Sequence, residues 1–445
     1  MKRNLSLISA ALIAASLTAQ EKTVPWTLEQ CIQFGLEHNI SVQQREISAD
    51  NNAIALQTTK ASRLPSLSAN VGENVNFGRS QNRQGVYEDH SAATTSIGAN
   101  AQIAVFQGFR INNQIKADKL ALEAACQDME QAKQDLSLQI TGAFLQVLHA
   151  KEQEAVAQKQ VDINIELLEK TKKLVSAGRS SESDLYDAES SLASARSDLV
   201  NARNGVETSI LDLVQEINYD GEASFDVIAA DSDAMVDREL LLMTPPDEIY
   251  KDYIDRRPSV VAAQKRVDQA DAAVKVAKSS YWPSISLGVS YGTGYYSDQK
   301  IASGNGTFWN QLGSNGSTSI GASLNIPIFD RLATSGNVRQ AKNNARIQQL
   351  ALEQTKLDVY KEVQQAYVNA KSAFSQYQAG MAKVEAARKA FAFEQKKYDN
   401  GRSTAYQFNE MRQKLFAATA EMTQNKYAFL LRAKILDFYK GEPLF

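Results

Sequence analysis

Two short segments of the chain carry charged and hydroxyl side chains at the same spacing. The first contains Gly178-Arg179-Ser180 and the second contains Gly401-Arg402-Ser403, 223 positions later. In each, a hydroxyl residue is followed three positions on by a carboxylate or amide residue. These pairs are Ser181 with Asp184, and Thr404 with Gln407. The pattern predicts that one helix ends at a left-handed glycine and that a capping box begins the next helix.

Two further carboxylates, Asp187 and Glu410, lie one helical turn beyond these pairs and are equivalent at the same offset. Several copies of such acids around a narrow opening would concentrate cations and select them. The competing interpretation is a favourable negative charge near a helix N-terminus.

Residues suited to catalysis or to metal binding do not cluster in the sequence. His38, His90 and His149 are widely separated, and no nucleophile elbow, phosphate loop or dinucleotide fingerprint occurs. Cys31 and Cys126 are expected to be unpaired core residues, because the predicted helices place them at different heights. The sequence therefore predicts no enzyme, no metal and no cofactor.

The first twenty residues have the features of a secretory signal peptide. Lys2 and Arg3 precede a short apolar stretch that ends in small residues, and the stretch is too short to span a membrane. Without it, 46 basic residues face 51 acidic ones, a balance that does not favour nucleic acid as a partner. Because no later segment has about 18 consecutive apolar residues, any membrane span should consist of strands.

The chain contains one motif twice. Residues 41–68 align with 259–286 at an offset of 218, and residues 96–180 align with 319–403 at an offset of 223. We therefore expect two equivalent halves. The predicted division is a signal peptide at 1–20, a first repeat at 21–218, a linker at 219–246, a second repeat at 247–440 and a tail at 441–445.

Each half contains two segments in which apolar and small polar residues alternate. In one of them Ile285, Leu287 and Val289 alternate with serine and glycine. This period of two predicts strands with one apolar and one polar face, and their length suits a tilted membrane strand. The predicted strands are 65–78, 94–106, 284–296 and 318–329, with polar loops at 78–94 and 297–317. A soluble sandwich is the competing interpretation, and four strands among so many helices fit it poorly.

Long helices are predicted between the strands. Residues 110–175 and 332–397 lack proline, and each would be about 100 Å long at 1.5 Å per residue. From Val359 to Phe391 apolar and small residues recur at steps of three and four, which is a heptad pattern. Shorter helices are expected near 27–62, 180–218, 247–281 and 404–438. The predicted fold class is thus mixed α/β, with mainly long antiparallel helices and four strands.

Four strands cannot close a membrane barrel, since the smallest barrels need about eight. Open sheet edges cannot lie in lipid. Several copies must therefore share one barrel, and the pattern alone does not choose between two copies and three.

Several short motifs follow one another in order in the two halves. They are Trp26-Thr27-Leu28-Glu29-Gln30-Cys31, Leu64-Pro65-Ser66-Leu67, Trp282-Pro283-Ser284-Ile285, Ile326-Pro327-Ile328-Phe329-Asp330, and the set Gly178, Ser181, Asp184 and Ala188. With these motifs the sequence resembles the TolC-like outer-membrane efflux family over nearly all of the mature chain. Arg331 departs from the family, which often has glycine there.

The resemblance implies a homotrimer in the outer membrane of a Gram-negative bacterium, with a shared twelve-stranded β-barrel and a helical periplasmic tunnel. It implies a passive exit duct for a tripartite efflux or type I secretion system. A periplasmic adaptor would dock at the tips, and an inner-membrane pump of the RND or ABC type would drive export. The implied docking residues are Gly178, Arg179, Ser181, Gly401, Arg402 and Thr404.

The resemblance also implies a periplasmic aperture at these tips. In the family a pair of aspartates one turn apart in the second repeat lines the constriction, and here those positions carry Gln407 and Glu410. The predicted aperture residues are Asp184, Asp187, Gln407 and Glu410.

Aromatic residues lie where strands meet helices, and they predict a girdle in contact with outer-membrane lipid. They are Phe106, Tyr281, Trp282 and Phe329. Core packing at these junctions is the other interpretation. The alternative function is a periplasmic coiled-coil adaptor or spacer without membrane strands.

Overall fold

A computed structural model of the protein describes residues 25–81, 85–221, 225–228, 245–297 and 306–442. The predicted signal peptide and most of the predicted linker lie outside these ranges. The chain divides into two compact units, which are described separately here. The first unit comprises Met1–Glu46, Met129–Pro258 and Lys356–Phe445, and the second comprises Ile47–Asp128 and Ser259–Thr355.

Helices account for most of the described residues. They are α1 Leu28–His38, α2 Ile40–Ala61, α3 Arg110–Ser176, α4 Glu182–Glu216, α5 Pro246–Tyr253, α6 Pro258–Lys278, α7 Phe308–Ser314, α8 Ala333–Asp399 and α9 Ala405–Lys440. The strands are β1 Ser66–Gln81, β2 Tyr87–Gln107, β3 Ser284–Tyr296 and β4 Ser317–Asn325. Within the described ranges, no helix is both long enough and apolar enough to cross a membrane.

In the first unit, the predicted heptad residues of α8 are buried. Val363 is 2% exposed and Ala370 is fully buried. A Cβ atom added at Gly380 would lie 3.3 Å from the Cα of Met422 in α9. Small residues in the heptad pattern therefore let these two helices approach closely, as coiled-coil packing requires.

The main core of the first unit joins several helices. Ile140 of α3, Leu213 of α4 and Phe429 of α9 are fully buried in it together with Cys31 of α1. Burial raises the pKa of the Cys31 thiol to about 12, so this cysteine is an inert core residue. Cys126, in the second unit, is also a free thiol and is only half-buried.

The second unit contains one antiparallel sheet in the order β1-β2-β3-β4. Its register lines up apolar residues in one row and polar residues in the next. One row consists of Leu67, Ala101, Val289 and Ile320, and the next consists of Ser68, Asn100, Ser290 and Ser319. Because successive side chains point to opposite faces, the sheet has one apolar and one polar face. On the apolar face Leu67 is 78% exposed and Ile320 is 80% exposed.

A β-bulge in β2 changes the predicted alternation. If the alternation of β2 continued from Ile103, Val105 would lie on the apolar face. The register instead shifts between Ala104 and Phe106, and Phe106 pairs with Ile285. The extra residue of the bulge thus moves Phe106 onto the apolar face.

Three strand boundaries differ from those predicted. The loop predicted at 78–94 is largely a hairpin, because β1 continues to Gln81 and β2 begins at Tyr87. The residues that flank this turn, such as Arg79, Glu88 and Asp89, are mostly polar in the sequence, so a search for a hydrophobic period of two does not detect the strands there. Strand β4 ends at Asn325 rather than 329, because Pro327 has no N–H to donate to a ladder.

The loop predicted at 297–317 contains α7, which covers an open edge of β3. Strand β4 begins opposite Gly292, so the last four residues of β3 have no partner in β4. The Gln311 side chain accepts from the Tyr296 N–H at 3.0 Å and donates to the Tyr296 carbonyl at 3.2 Å. Asn315 donates to the Gly294 carbonyl at 2.8 Å. These amides take the place of the missing strand at this edge.

Two helices predicted as continuous are interrupted. Asn39 separates α1 from α2, and its side chain donates to the Glu216 carbonyl at 2.9 Å and accepts from the Ser41 N–H. Arg257 separates a short 3-10 turn from α6 because the following Pro258 disfavours a helical backbone at the residue before it.

Candidate docking tips, aperture and membrane boundary

The turn between α3 and α4 is the first tip. Gly178 has a φ of +69°. Its N–H donates to the Val175 carbonyl at 2.9 Å, and the Arg179 N–H donates to the Leu174 carbonyl at 2.8 Å. This pair of bonds is a Schellman motif, which ends a helix at a left-handed residue. Ser181 and Asp184 then form the predicted capping box of α4.

The turn between α8 and α9 is the second tip, and its backbone repeats the first. Gly401 has a φ of +67°. Its N–H donates to the Tyr398 carbonyl at 3.0 Å, and the Arg402 N–H donates to the Lys397 carbonyl at 2.8 Å. Thr404 forms the predicted capping box with Gln407.

Both tips present an uncrowded surface that carries an exposed arginine. A Cβ atom added at Gly178 or Gly401 would meet nothing within 4 Å, so the positive φ, rather than packing, favours glycine there. Arg179 and Arg402 are exposed. Among the described residues neither guanidinium has an ion-pair partner, so both are available to an acceptor on another molecule.

The four predicted aperture residues differ in the hydrogen-bond and ion-pair partners that their side chains have. Asp184 accepts from the Ser180 hydroxyl at 2.7 Å and from the Ser181 N–H at 3.0 Å. These bonds, the Ser180 hydroxyl foremost, hold the pKa of Asp184 below its usual value. Gln407 is occupied by its capping box. Glu410 pairs with Lys414 at 2.6 Å.

Asp187 is the exception in this set. It is exposed, and the described part of the chain offers it no hydrogen-bond or ion-pair partner. The equivalence of Asp187 and Glu410 in sequence therefore does not extend to their charge, because only Asp187 presents an uncompensated carboxylate.

A pocket of about 540 Å³ brings three predicted residues of the second tip together. Arg402, Gln407 and Glu410 line it, along with Glu394 and Lys397. Asp184 and Asp187, on the first tip, do not line this pocket.

Sequence reasoning missed Glu394, which organises the second tip. The Ser403 hydroxyl donates to its carboxylate, and Lys397 pairs with it at 3.1 Å. These two contacts, with Ser403 first, lower the pKa of Glu394. Glu394 lies nine residues before Ser403 in the chain, and only the hairpin brings them together. No sequence spacing predicts that contact.

The second tip is also linked to α3. Lys170 pairs with Asp399 at 2.5 Å, and its ammonium lies 5.0 Å from the centre of the Tyr398 ring. The Tyr398 ring stacks on Phe408 at 4.8 Å. Lys170 thus connects the end of one long helix with the aromatic base of the second tip.

The predicted girdle residues lie at the helical end of the sheet in the second unit. Tyr281, Trp282 and Phe329 are 55%, 58% and 80% exposed. Phe106 is half-buried and packs edge-to-face against Phe109 at 5.4 Å. The first three side chains are therefore not packed into the core of the single chain.

The strand-to-helix turns of the two halves are alike in backbone. Gly108 and Phe109 have φ values of +58° and +64°, and Arg331 and Leu332 have +54° and +68°. A Cβ atom at Gly108 would lie 2.5 Å from the Ser279 carbonyl oxygen. Arg331 therefore adopts the conformation that glycine supplies in the first half.

No group of three or more histidine, cysteine, aspartate or glutamate residues is arranged to hold a metal ion in the described ranges.

Helical hairpins ending in exposed Gly-Arg turns, and an antiparallel sheet with an exposed apolar face, define the class of outer-membrane exit ducts. The chain belongs to the outer membrane efflux protein family, whose sequence model matches residues 32–218 and 249–441. It is an efflux duct of the outer membrane of Gram-negative bacteria, and the solved structures that it resembles include outer-membrane channels.

The chain is similar to several known proteins along most of its length. Nodulation protein T of Rhizobium leguminosarum biovar trifolii is 21% identical over 398 residues, which cover 89% of this chain and 81% of that protein. Outer membrane protein TolC of Vibrio cholerae is 22% identical over 386 residues, which cover 85% and 82%. The crystal structure of CusC matches with a TM-score of 0.77 at 18% identity, over 95% of this chain and 93% of that one. The last comparison shows that the fold is shared.

Proposed function

We propose that three copies of the chain form one duct, in which each contributes four strands to a twelve-stranded barrel. The observation that carries this proposal is the sheet itself. Its apolar face is exposed, and among the described strands neither β1 nor β4 has a partner at its outer edge. Lipid would cover the apolar face, and neighbouring copies would pair with the edges. The polar face would then line a water-filled passage. The long helices of the two repeats would form a periplasmic tunnel.

A pair of neighbouring substitutions in β1 tests this arrangement. Val71 lies on the apolar face and is 74% exposed, whereas Asn70 lies on the polar face. A lysine on the lipid side of a barrel strand costs roughly 2–4 kcal/mol near mid-membrane. Val71→Lys should therefore deplete trimers from the outer-membrane fraction, and Asn70→Lys should not.

The same pair separates the duct from the alternative of a periplasmic adaptor or spacer. In a sheet surrounded by water, Val71→Lys would be harmless. Unchanged trimer yield and unchanged conductance in planar bilayers for Val71→Lys would overturn the barrel proposal.

The two tips are proposed to dock a periplasmic adaptor, which links the duct to an inner-membrane pump of the RND or ABC type. The docking residues are Gly178, Arg179, Ser181, Gly401, Arg402 and Thr404. Their exposure, the free guanidinium groups and the open space around both glycines support this role. The duct would be a passive conduit, and the pump would determine which substrates are exported.

Bulky substitution tests the docking surface. Gly178→Leu and Gly401→Leu should abolish export and adaptor cross-linking while trimers still assemble, because the added side chains project into open space. Gly178→Ala and Gly401→Ala are the controls, since they impose the same left-handed strain on each turn without the bulk of leucine. Normal export by both tip variants would contradict the proposal.

The proposed aperture consists of Asp184, Asp187, Gln407 and Glu410 from each copy. Asp184 and Asp187 supply its uncompensated charge, because among the described residues neither carboxylate has an ion-pair partner, whereas Glu410 pairs with Lys414. The proposed girdle consists of Phe106, Tyr281, Trp282 and Phe329, at the boundary between membrane and periplasm. Aromatic side chains favour this boundary because their rings combine apolar surface with a polar edge or group.

A further inference from the structure

Two arginines line one pocket in the second unit, where β2 meets α3. The pocket has a volume of about 510 Å³, and Arg63 and Arg110 lie on it together with Phe106 and Phe109. Both arginines are exposed. Arg63 follows α2 and Arg110 begins α3, so two separate elements bring the guanidinium groups to the same pocket.

The positive charge of this pocket is uncompensated. Arg63 donates to the Asn112 side-chain oxygen at 2.7 Å. Arg110 donates to the Gln107 side-chain oxygen from Nε at 3.2 Å and from Nη2 at 2.7 Å. Both acceptors are neutral amides, and no aspartate or glutamate lines the pocket. In the part of the chain that the structure describes, neither arginine has an ion pair.

The pocket lies beside an open strand edge and the apolar face of the sheet. The ladder between β1 and β2 ends at Ser66 and Gln102, so residues 103–107 of β2 have no partner in β1. Ile103, which lines the pocket, pairs with Leu287 on the apolar face, and Phe106 joins that face through the bulge. A ligand here would meet cations at one side and continuous apolar surface at the other.

The corresponding junction of the second half differs, so the fold itself does not require these cations. There Tyr281 takes the place of Arg63, and Ala333 takes the place of Arg110. The smaller pocket at that junction, of about 160 Å³, is lined by Tyr281, Phe329 and Asp330 among others, and by no arginine or lysine.

We propose that the Arg63–Arg110 pocket binds the phosphate group of a phospholipid from the periplasmic leaflet of the outer membrane. The proposal rests on the proposed membrane position of the sheet. Guanidinium groups bind phosphate through paired N–H donors, and they do so more strongly than neutral donors. The apolar surface of Ile103 and Phe106 fits the acyl chains of the same molecule.

Native mass spectrometry of the detergent-purified trimer tests the proposal. The probes are phosphatidylglycerol, diacylglycerol with the same chains, and inorganic phosphate. We expect phosphatidylglycerol adducts on the wild type and at least a tenfold weaker binding by the Arg63→Gln/Arg110→Gln double variant. Diacylglycerol, which lacks the phosphate, should bind the wild type no better than it binds the variant.

Arg331→Gln is the matched control, because this arginine lies at the other junction and should leave phosphatidylglycerol binding unchanged. Equal binding of phosphatidylglycerol by the double variant would overturn the site. Displacement of the lipid by inorganic phosphate at equal concentration would overturn the lipid as its ligand.

The test also separates this site from the duct proposal. Trimer assembly and bilayer conductance are measured on the same samples. A conducting wild-type trimer without the adduct overturns only the lipid site, whereas a protein that is neither trimeric nor conducting overturns the duct. Glutamine retains the length and hydrogen bonding of each side chain, and trimer content of the double variant shows that it has folded.

Discussion

The first and second tips have the same backbone and different surroundings. Both end a helix at a left-handed glycine and begin the next with a capping box. Leu185 and Phe408 are equivalent at the 223-residue offset. Leu185 packs against a small aliphatic cluster, whereas Phe408 contacts the rings of Phe391 and Tyr398.

The polar contacts also span a longer stretch of chain at the second tip than at the first. Among the described residues, the carboxylate of Asp184 bonds to its neighbours Ser180 and Ser181 and to no others. At the second tip, Glu394 on α8 holds Ser403 beyond the turn. The comparison shows that a few local residues fix the turn, while the packing beneath it changes independently. It also indicates that the second tip resists opening more strongly.

The largest expected difference follows from truncating the equivalent side chains. Phe408 is 6% exposed, so Phe408→Ala should destabilise the second tip by about 3–5 kcal/mol. Leu185 is half-buried, and Leu185→Ala should cost the first tip about 2 kcal/mol or less. Hydrogen exchange of peptides around each tip measures both effects, and equal losses would break the comparison.

The strand-to-helix turns extend the comparison to the second unit. Gly108→Ala should cost about 1–3 kcal/mol, because its Cβ would overlap Ser279 and Trp282. Arg331→Gly should instead stabilise the protein by about 1 kcal/mol, since it removes the left-handed strain of a residue that has a Cβ. Thermal unfolding of purified trimers measures both. A stabilising Gly108→Ala, or a destabilising Arg331→Gly, would show that the turns are not equivalent.

Features set by neighbouring residues could be predicted from the sequence. The capping boxes at Ser181 and Thr404 and the left-handed glycines depend on contacts between residues close in the chain. The heptad pattern of α8 is a periodicity that the sequence shows directly. Helix α7 could not be predicted in this way, because its stability depends on Gln311 reaching the open edge of β3.

The candidate site shows the same division. The exposure of Arg179 and Arg402 follows from their place in the turns, and it could be expected. The pairing of Glu410 with Lys414 is at helical spacing, so the sequence alone could have predicted it. Glu394 and Lys170 act across hairpins, and periodicity gives no indication of either contact.

Acid should loosen the two tips through different carboxylates. Asp184 and Glu394 both have lowered pKa values in the folded protein. Each therefore contributes stability that is full above its usual pKa and is lost as the pH falls through the lower folded-state value. Asp184→Asn should remove this dependence from the first tip alone, at a cost of about 0.5 kcal/mol near neutral pH. Glu394→Gln should remove it from the second tip alone.

Hydrogen exchange at about pH 3 and about pH 6, corrected for intrinsic rates, separates these effects. If Asp184→Asn altered the acid response of both tips, they would open as one unit and the comparison would fail.

The smallest expected effect concerns the charge of the aperture. Among the described residues Asp187 has no ion-pair partner, whereas Lys414 neutralises Glu410. Asp187→Asn should therefore lower the cation selectivity of the channel more than Glu410→Gln does. Lys414→Gln should raise selectivity by releasing Glu410, although an exposed pair of this kind contributes only about 0.3–0.5 kcal/mol to stability. Reversal potentials in a salt gradient measure all three variants. Equal losses for Asp187→Asn and Glu410→Gln would mean that the two tips present equivalent charge, and that the difference in their contacts has no consequence for the passage of ions.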